Sequence, residues 1–388
     1  MNCLLIPSAL KAPLRVLFGL IAVVLSFSAA AEMGVPPPPA VAARAYILMD
    51  YDSGQVLAES KADARMEPAS LTKLMTSYVL YQQLEEGRIK PGDLATVSQR
   101  AWRMEGSRSF VPVGRQVSVE DLLKGMIVQS GNDATVALAE YAAGSEDVFV
   151  SMMNREAKRL GLTGTHYMDS TGMPDPQHYT TARDLAMLTR AIIHDFPNHY
   201  QLYSLKQFTY NGITQRNRNL LLWRDTSVDG VKTGHTESAG YCLVASARQN
   251  GMRLISVVLG TDSEAARADE SEKLLSYGFR FYETHRVYAT DKPLSTVRVW
   301  KGAADTLPLG LQQPIYVTIP RGQYDKLTAA IKVQQRIIAP VAKGTVYGSL
   351  KVSLAGETVA ARPLVAFQDV PPGSLFTRMV DDVRLWFK

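Results

Sequence analysis

Three short polar motifs stand in a set order along this chain and constrain what it folds into. They are Ser70-Leu71-Thr72-Lys73, Ser130-Gly131-Asn132 and Lys232-Thr233-Gly234. The first opens a helical pattern, the second stands between two helical patterns, and the third ends a strand pattern. A fold that brings the three motifs together in space needs both helices and strands. The joined residues would supply a nucleophile, a base, a proton relay and a carboxylate anchor, which are the groups that acyl transfer through a serine requires.

The spacing of the first motif places two reactive groups on one helix face. If Ser70 begins a helix, Lys73 lies one turn further on the same side, so its amine reaches the serine hydroxyl. The neighbouring residues predict a buried helix: Leu71, Leu74, Met75 and Leu80. Burial is expected to lower the pKa of Lys73 until the neutral amine acts as a base, and the helix start offers N–H groups to an oxyanion. The alternative is an N-cap serine followed by a solvated lysine, which the other two motifs disfavour.

The second and third motifs predict the remaining polar groups of the site. Ser130 is a candidate proton relay and Asn132 a candidate donor to a substrate carbonyl, although the pair also suits a helix N-cap. Lys232 and Thr233 at a strand end are candidates to bind a carboxylate, and Gly234 is expected to let a ligand approach the backbone. Read alone, this last motif also fits a strand-end lysine followed by a turn.

The N-terminus resembles a secretory leader. Lys11 and Arg15 precede an apolar run at residues 16–25, and three alanines at 29–31 suit a signal peptidase, so residues 1–31 are expected to be removed. The alternative, a membrane anchor, is disfavoured because about ten apolar residues are too few to span a bilayer. The whole chain carries a net charge of +5, two units of which belong to the leader. So small a net positive charge argues against a nucleic-acid partner.

Cysteine and histidine usage indicates neither a disulfide nor a metal centre. Cys3 belongs to the leader, so Cys242 remains alone and is expected to be a small buried residue rather than a reactive thiol. The chain has no H-E-x-x-H and no C-x-x-C motif, and His194 and His199 are read as structural. We therefore expect an enzyme without a cofactor.

Hydrophobic periodicity predicts an α+β catalytic domain over residues 32–286. Strands are expected near both of its ends, at 45–49, 56–59, 228–233, 241–247 and 254–259. Helices are expected between and after them, at 70–85, 119–128, 133–143, 148–160, 182–194 and 264–282. Strands at both ends with helices inserted between them favour one antiparallel sheet flanked by helices.

A small all-β domain is expected at residues 287–370, where the helical signal disappears. Short alternating segments stand at 296–300, 315–319 and 349–352, broken by Gly and Pro. This region holds no constellation of acids, histidines or serines, so its expected role is to space the catalytic domain from something else.

Residues 371–388 predict an amphipathic helix that lies on a membrane surface. One face collects Leu375, Phe376, Met379, Val380, Val383, Trp386 and Phe387, and the other is largely charged. The segment is too short and too charged to span a bilayer. The alternative is a helix packed on the β-domain, from which the Pro371-Pro372-Gly373 break separates it.

The motifs and their surroundings resemble those of D-alanyl-D-alanine carboxypeptidases, the low-molecular-mass, serine-type (peptidase S11-like) penicillin-binding proteins of the bacterial periplasm. The stretches that carry this resemblance are Ala69-Ser70-Leu71-Thr72-Lys73, Gly131-Asn132-Asp133-Ala134, Asn211-Gly212-Ile213-Thr214 and Asp229-Gly230-Val231-Lys232-Thr233-Gly234-His235-Thr236. The resemblance covers essentially the whole mature chain. It implies a β-lactamase/DD-peptidase-like catalytic domain, a C-terminal β-domain and a membrane helix on the outer face of the inner (cytoplasmic) membrane.

The resemblance also implies a reaction and further site residues. The enzyme would remove the terminal D-alanine from a peptidoglycan stem pentapeptide through an acyl-enzyme on Ser70, in cell-wall biogenesis, and penicillins and other β-lactams would acylate the same serine. The backbone N–H groups of Ser70 and His235 would form the oxyanion hole, and Asp184 would lie near the site.

Two other functions share part of this pattern. A class A β-lactamase adds a glutamate between the second and third motifs to activate a water, but residues 161–176 contain no Glu and no E-x-x-L-N. A non-catalytic periplasmic scaffold would not need the intact set of motifs.

Overall fold

The computed structural model describes residues 34–290 and 292–387. The expected leader, residues 1–31, lies outside the described residues, as does the terminal Lys388. The chain from residue 36 onward forms one compact unit.

Helices and strands alternate as the periodicity predicts. The α-helices of the described residues are α1 (Lys73–Glu85), α2 (Gln99–Trp102), α3 (Val119–Lys124), α4 (Asn132–Ala143), α5 (Glu146–Arg159), α6 (Ala182–Asp195), α7 (Pro197–Tyr200), α8 (Leu221–Arg224), α9 (Glu264–Phe281) and α10 (Leu375–Trp386). The strands of the first domain are β1 (Ala45–Asp50), β2 (Val56–Ser60), β3 (Leu94–Thr96), β4 (Gln116–Ser118), β5 (Gln207–Tyr210), β6 (Ile213–Arg216), β7 (Val228–Thr236), β8 (Gly240–Gln249) and β9 (Met252–Thr261). Those that follow are β10 (Tyr282–Tyr288), β11 (Ser295–Trp300), β12 (Thr306–Gly310), β13 (Ile315–Pro320), β14 (Leu327–Val333), β15 (Ile337–Ile338), β16 (Val346–Leu354) and β17 (Glu357–Ala366).

A five-stranded antiparallel sheet forms the frame of the first domain, with strand order β2-β1-β9-β8-β7. The register pairs Ala45 with Leu259, so the beginning and the end of the domain's sequence lie side by side. Successive residues of β8 and β9 are buried, which shows that both faces of the sheet are covered. Helices α6 and α9 pack against it. Strand β7 is left at the edge, where one side of its backbone faces the site.

Helix α1 is the buried centre of the helical part, as expected. Its residues from Leu74 to Tyr81 are at most 1 % exposed, and it packs against α4, α5 and α6. A helix that is apolar on all sides is stable only when other elements surround it. Helix α1 therefore fixes the position of the turn at its N-terminus, which contains Ser70.

Two helices depart from the sequence prediction at the ends that face the site. The helix expected from Ser70 begins as a 3-10 turn (Ala69–Thr72) and becomes α-helical at Lys73. The helix expected at 119–128 is α3 followed by a π-helical turn, Gly125–Gln129. Such a turn takes up an extra residue, and here it directly precedes Ser130. Periodicity over ten residues does not resolve changes of this size.

The all-β domain begins slightly earlier than the expected boundary at residue 286. That position lies inside β10, which pairs with β13 and starts at Tyr282, where α9 ends. A six-stranded sheet completes the domain, in the order β14-β16-β17-β12-β11-β15. Its core is aliphatic and separate from that of the first domain. The two domains are joined by hydrogen bonds between the carboxylate of Asp50 and Thr284 (2.7 Å) and between Ser53 and Thr318 (2.6 Å).

Helix α10 contacts the β-domain with its polar side. Asp381 is 4 % exposed and accepts hydrogen bonds from the backbone N–H of Lys301 (2.7 Å) and the guanidinium of Arg298 (3.2 Å). Six apolar side chains of this segment are instead 56–91 % exposed: Leu375, Phe376, Met379, Val383, Trp386 and Phe387. The helix is thus held by the β-domain while its apolar face stays in solvent. Among the described residues, no helix is both long enough and apolar enough to cross a membrane.

Candidate active site

The three sequence motifs meet at one cavity of about 460 Å³ in the first domain. Six of the predicted site residues line it: Ser70, Ser130, Asn132, Thr233, Gly234 and His235. Lys73 and Lys232 are buried next to it rather than among the lining residues. The cavity is bounded by the start of α1, the turn before α4, the edge strand β7 and a loop at residues 171–174.

Close packing holds the turn that carries Ser70. Ala69 has a positive φ of 47°, which is unusual for a residue with a side chain. A Cβ at Gly172 would lie 1.7 Å from the carbonyl oxygen of Ala69, and one at Gly234 would lie 3.0 Å from that of Pro68. Both glycines therefore let neighbouring segments approach this turn. Gly234 also lines the cavity, so the expected approach of a ligand to its backbone stays a prediction.

Lys73 donates to three oxygen atoms. Its Nζ lies 3.0 Å from Ser70 Oγ, 2.7 Å from Asn132 Oδ1 and 2.7 Å from the carbonyl oxygen of Thr171. The side chain is 1 % exposed, and burial lowers the pKa of Lys73 from 10.5 to about 7, as the sequence predicted in direction. The lysine is therefore available as a neutral amine near neutral pH.

The same three contacts orient the neutral amine. Asn132 Oδ1 and the Thr171 carbonyl only accept hydrogen bonds, so they take the two N–H groups that a neutral amine retains. The lone pair then faces the third partner, the hydroxyl of Ser70. In this arrangement the lone pair is placed to accept a proton from the Ser70 hydroxyl.

Ser130 occupies a strained position with an unpartnered hydroxyl. Its φ is +66°, in the left-handed region, and its Oγ is buried without a hydrogen-bond partner among the described residues. A buried hydroxyl without a partner costs free energy, and active sites retain such groups for a ligand. Gly131, rather than Ser130 or Asn132, is the N-cap of α4, so the capping alternative does not apply.

Asn132 already uses both ends of its amide. Besides accepting from Lys73, it donates from Nδ2 to the carbonyl oxygen of Glu105 at 2.6 Å. Asp133 is fully buried and accepts from the backbone N–H of Ser109 (2.7 Å), which ties the same loop to α4. The second Nδ2 hydrogen of Asn132 faces Met173 Sδ at 3.9 Å, which is only a weak acceptor.

The Lys-Thr-Gly motif lies in β7 and places a buried lysine next to the cavity. Lys232 donates to the carbonyl oxygen of Thr233 at 3.0 Å. Burial lowers the pKa of Lys232 well below its usual value, and nearby cations lower it further: Lys73, Arg218 and Arg267. An anion in the cavity would offset this mutual repulsion and restore the charge of Lys232.

Two arginines of the cavity were missed from the sequence. Arg218 is exposed and lines the cavity, while Arg267 is 2 % exposed and donates to the carbonyl oxygen of Gly234 at 3.4 Å. Arg267 lies on α9, one turn after its first residue, and no local motif marks either position. Only the packing of α9 against the sheet brings Arg267 to β7.

Asp184, which the family resemblance places near the site, is not among the acidic residues that line the cavity or act on Lys73. Glu264 lines the cavity, and Asp169 is the strongest of the anions that act on Lys73. Asp184 does not line the cavity; it lies in the first turn of α6, where its carboxylate accepts from Thr165 Oγ1 (2.7 Å) and the backbone N–H of Gly164 (2.9 Å). Asp169 instead acts electrostatically on Lys73 and raises its pKa. Cys242 is fully buried in β8, as expected of a small core residue.

Comparisons with known proteins identify relatives over nearly the whole chain. A family profile described as D-alanyl-D-alanine carboxypeptidase, peptidase S11, matches residues 31–263, and one described as the C-terminal domain of penicillin-binding protein 5 matches residues 282–372. The D-alanyl-D-alanine carboxypeptidase DacC of Escherichia coli is 48 % identical over 366 residues, which cover 92 % of this chain and 91 % of the relative. DacA of the same bacterium is 45 % identical over 361 residues, covering 91 % and 90 %.

A solved structure shares the same architecture. The crystal structure of penicillin-binding protein 5 from Haemophilus influenzae superposes with a TM-score of 0.84 at 44 % identity, covering 87 % of this chain and 100 % of that one. The similarity therefore extends through both domains.

The close approach at Gly172 yields a stability prediction. Gly172 and Gly87 both have positive φ, of 95° and 68°, but a Cβ at Gly87 meets no atom within 4 Å. We expect Gly87→Ala to lower the free energy of unfolding by about 1 kcal/mol, from backbone strain alone, and Gly172→Ala by about 2–4 kcal/mol, because overlap is added. Urea unfolding of both variants measures the difference. Equal losses would contradict a packing role for Gly172.

Proposed function

This chain belongs to the D-alanyl-D-alanine carboxypeptidase family, and we propose that Ser70, Lys73 and Ser130 carry out the family reaction in it. The enzyme is a serine-type carboxypeptidase that removes the terminal D-alanine from peptidoglycan stem pentapeptides. The observation that supports these roles most directly is the Lys73 amine, buried and 3.0 Å from Ser70 Oγ. The sequence predicts domains at residues 32–286 and 287–370. Because β10 pairs with β13, we propose that the catalytic domain ends with α9 at Phe281 and the β-domain begins at Tyr282, followed by an anchoring segment at 371–388.

Acylation follows from the positions of these groups. Lys73 accepts the proton of Ser70 while the serine oxygen attacks the carbonyl carbon between the two D-alanines. Ser130 gives its own proton to the departing amine of D-alanine, and the Lys73 ammonium returns a proton to Ser130. A water then attacks the ester carbon and gives a proton to Lys73. The Lys73 ammonium passes that proton to the departing Ser70 oxygen, which releases the shortened peptide and restores the free serine and amine. The free hydroxyl of Ser130 supports its place in this relay.

The backbone N–H groups of Ser70 and His235 are the proposed oxyanion hole. Ser70 stands at the start of a helical segment, where N–H groups lack intrahelical partners and the helix dipole favours negative charge. His235 lies on edge strand β7 and lines the same cavity, with its ring stacked on Tyr241 at 4.0 Å between ring centroids. Ser70 and His235 therefore line the same cavity.

The concentration of cations supports a substrate that ends in a free carboxylate. Thr233, Arg218 and Arg267 line the cavity, where Arg267 also lies 3.3 Å from Glu264. The buried Lys232 of β7 would regain its charge when a carboxylate binds. Asn132 would donate to a peptide carbonyl further along the stem. A pentapeptide placed this way presents its last peptide bond to Ser70.

Covalent labelling with a fluorescent penicillin tests the nucleophile. Penicillin carries a strained amide and a carboxylate, and related structures include penicillin-binding protein D2 of Listeria monocytogenes in an ampicillin-bound form. We expect Ser70→Ala to lose both the label and D-alanine release, because only the attacking hydroxyl is removed.

The matched control is Ser77→Ala, which deletes a hydroxyl from the same helix outside the cavity. We expect it to retain the label and the activity. A labelled Ser70→Ala protein would place the nucleophile elsewhere, a label that decays quickly would favour a β-lactamase, and an unlabelled wild type would favour a scaffold.

The carboxylate anchor predicts a substrate-dependent defect. We expect Lys232→Met to lower kcat/KM about 10- to 100-fold on a peptide with a free C-terminal carboxylate and much less on its C-terminal amide, since a charge-assisted contact is lost only in the first. Thr233→Val removes one neutral donor and is expected to cost about fivefold. D-Alanine and D-alaninamide release by each variant measures both. Equal losses of the Lys232 variant on the two peptides would contradict an anchoring role.

We propose that the enzyme is periplasmic and attaches to the outer face of the inner membrane through α10. The relatives are enzymes of the bacterial cell wall, which fits a secreted protein with a removable leader. The six exposed apolar side chains of this segment have no other partner on the described chain, and Arg378 and Arg384 suit anionic headgroups. The Asp381 contacts hold the helix to the β-domain, so the apolar face is already presented outward.

Vesicle binding tests this attachment. We expect deletion of residues 374–388 to yield a soluble, active enzyme, and Phe376→Glu to reduce cosedimentation with vesicles that contain anionic lipid. The matched control is Ile331→Glu, which adds the same charge at an exposed apolar residue of β14. Normal vesicle binding by Phe376→Glu, or equal losses in both variants, would contradict attachment through α10.

A further inference from the structure

The loop that contacts Lys73 is folded around the carboxylate of Asp169 and is also held by Glu146, which accepts from the backbone N–H and the hydroxyl of Ser170. Within residues 169–173, here called the Asp169 loop, Asp169 Oδ1 accepts from the backbone N–H groups of Thr171 (2.6 Å) and Gly172 (2.6 Å) and from Thr171 Oγ1 (2.8 Å). Its other oxygen accepts from the backbone N–H of Met173 at 3.1 Å. The Thr171 carbonyl oxygen, which this arrangement fixes, is the one that accepts from Lys73.

A buried histidine connects the Asp169 loop to the turn that carries Ser70. His178 is 2 % exposed, with its Nδ1 3.3 Å from Asp169 Oδ2 and its Nε2 2.9 Å from Thr72 Oγ1. The carboxylate only accepts, so Nδ1 carries a proton toward it, although the backbone N–H of Met168 also lies 3.5 Å from this nitrogen. Nε2 and the Thr72 hydroxyl form the second hydrogen bond of the imidazole ring. Tyr167 packs edge-on against the ring at 5.7 Å. His178 therefore has a fixed orientation between two segments of the site.

These contacts close a ring of interactions around the base. Thr72 and Lys73 are adjacent in the chain, Lys73 bonds to Thr171, the Asp169 loop contains Thr171, and His178 joins Asp169 back to Thr72. A second tie comes from Thr76 of α1, which donates to the carbonyl oxygen of Ser170 at 2.7 Å. None of these steps depends on a substrate, so the arrangement is preformed.

We propose that Asp169 and His178 are positioning residues for acylation: together they hold the Thr171 carbonyl where it takes one N–H of Lys73 and directs the amine's lone pair to Ser70. This inference rests on the proposed role of Lys73 as the base. Asp169 is not a water-activating carboxylate, because five donors already occupy its two oxygens.

The charge of Asp169 also acts on the base. Lys73 is faced by the anions Asp169, Asp133 and Glu146, which raise its pKa, and by Arg218, which lowers it. The amine of Lys232 lies on the β7 side. Asp169 is the strongest of these electrostatic influences, while burial dominates them all. Neutralising Asp169 is therefore expected to lower the pKa of Lys73 further.

Two substitutions of His178 separate its two ring nitrogens. Asn places an amide N–H near the Nδ1 position, so His178→Asn keeps a donor for Asp169, whereas Gln reaches the Nε2 position, so His178→Gln keeps only the contact to Thr72. We expect the second-order rate constant of acylation by benzylpenicillin to fall about 10- to 100-fold in His178→Gln, because the base is misplaced, and to stay within about threefold of wild type in His178→Asn. Equal rate constants in the two variants, whether high or low, would overturn the proposal.

Asp169→Asn supplies a readout that a purely structural role would not move. In the wild type, the acidic limb of the acylation profile is expected near pH 7, since the neutral amine of Lys73 is required and its pKa is about 7. The variant is expected to show a lower plateau and an acidic limb displaced to lower pH. A limb that stays in place or moves to higher pH would contradict the proposed action of Asp169 on Lys73.

The outcomes separate the positioning role of Asp169 and His178 from the catalytic role of Ser70 on which it rests. If penicillin does not label Ser70 in the wild type, the proposed catalytic roles fail. If Ser70 is labelled but both His178 variants acylate alike, only the positioning role of Asp169 and His178 fails. Thermal unfolding of each variant shows whether it is folded, and the His178 pair decides the matter even if Asp169→Asn does not fold.

Discussion

The site depends on one buried amine. Lys73 is almost fully enclosed, yet every hydrogen that it carries has an oxygen to donate to. Burial keeps its pKa near neutrality and the three oxygens keep it in place, so one residue gains both the basicity and the orientation that serine activation requires. Two of these oxygens belong to α4 and the Asp169 loop. The position of Lys73 therefore depends on how these two segments pack around it.

Close packing at glycines lets these segments approach the turn that contains Ser70. Gly172 and Gly234 bring the Asp169 loop and β7 against the turn that contains Ser70, and Gly131 makes room for Ser109 below the second motif. At each position a Cβ would overlap or crowd a neighbouring atom, and at Gly131 it would lie 1.9 Å from Ser109 Oγ. The reactive groups are therefore held by backbone contacts, which move less than long side chains do.

Hydrogen bonds connect the second domain and α10 to the catalytic domain. The β-domain is tied to the catalytic sheet through Asp50 and Thr284, and α10 is tied to the β-domain through Asp381. An anchor that is hydrogen-bonded on its polar side cannot rotate freely about its own axis. Membrane attachment, as proposed, would then orient the catalytic domain as well as retain it.

The sequence by itself determined the fold class, the two domains, the amphipathic end and the motifs that line the cavity. Apolar periodicity reports burial, and S-x-x-K places two groups on one turn because the helix repeats every 3.6 residues. The tertiary structure alone decided which distant groups meet. Arg267 reaches Gly234 because α9 packs on the sheet, and Asp169 rather than Asp184 lies near Lys73 because a loop folds around its carboxylate. Contacts between residues about a hundred positions apart, such as Lys73 with Thr171, leave no local pattern, because only the packing of whole elements brings them together.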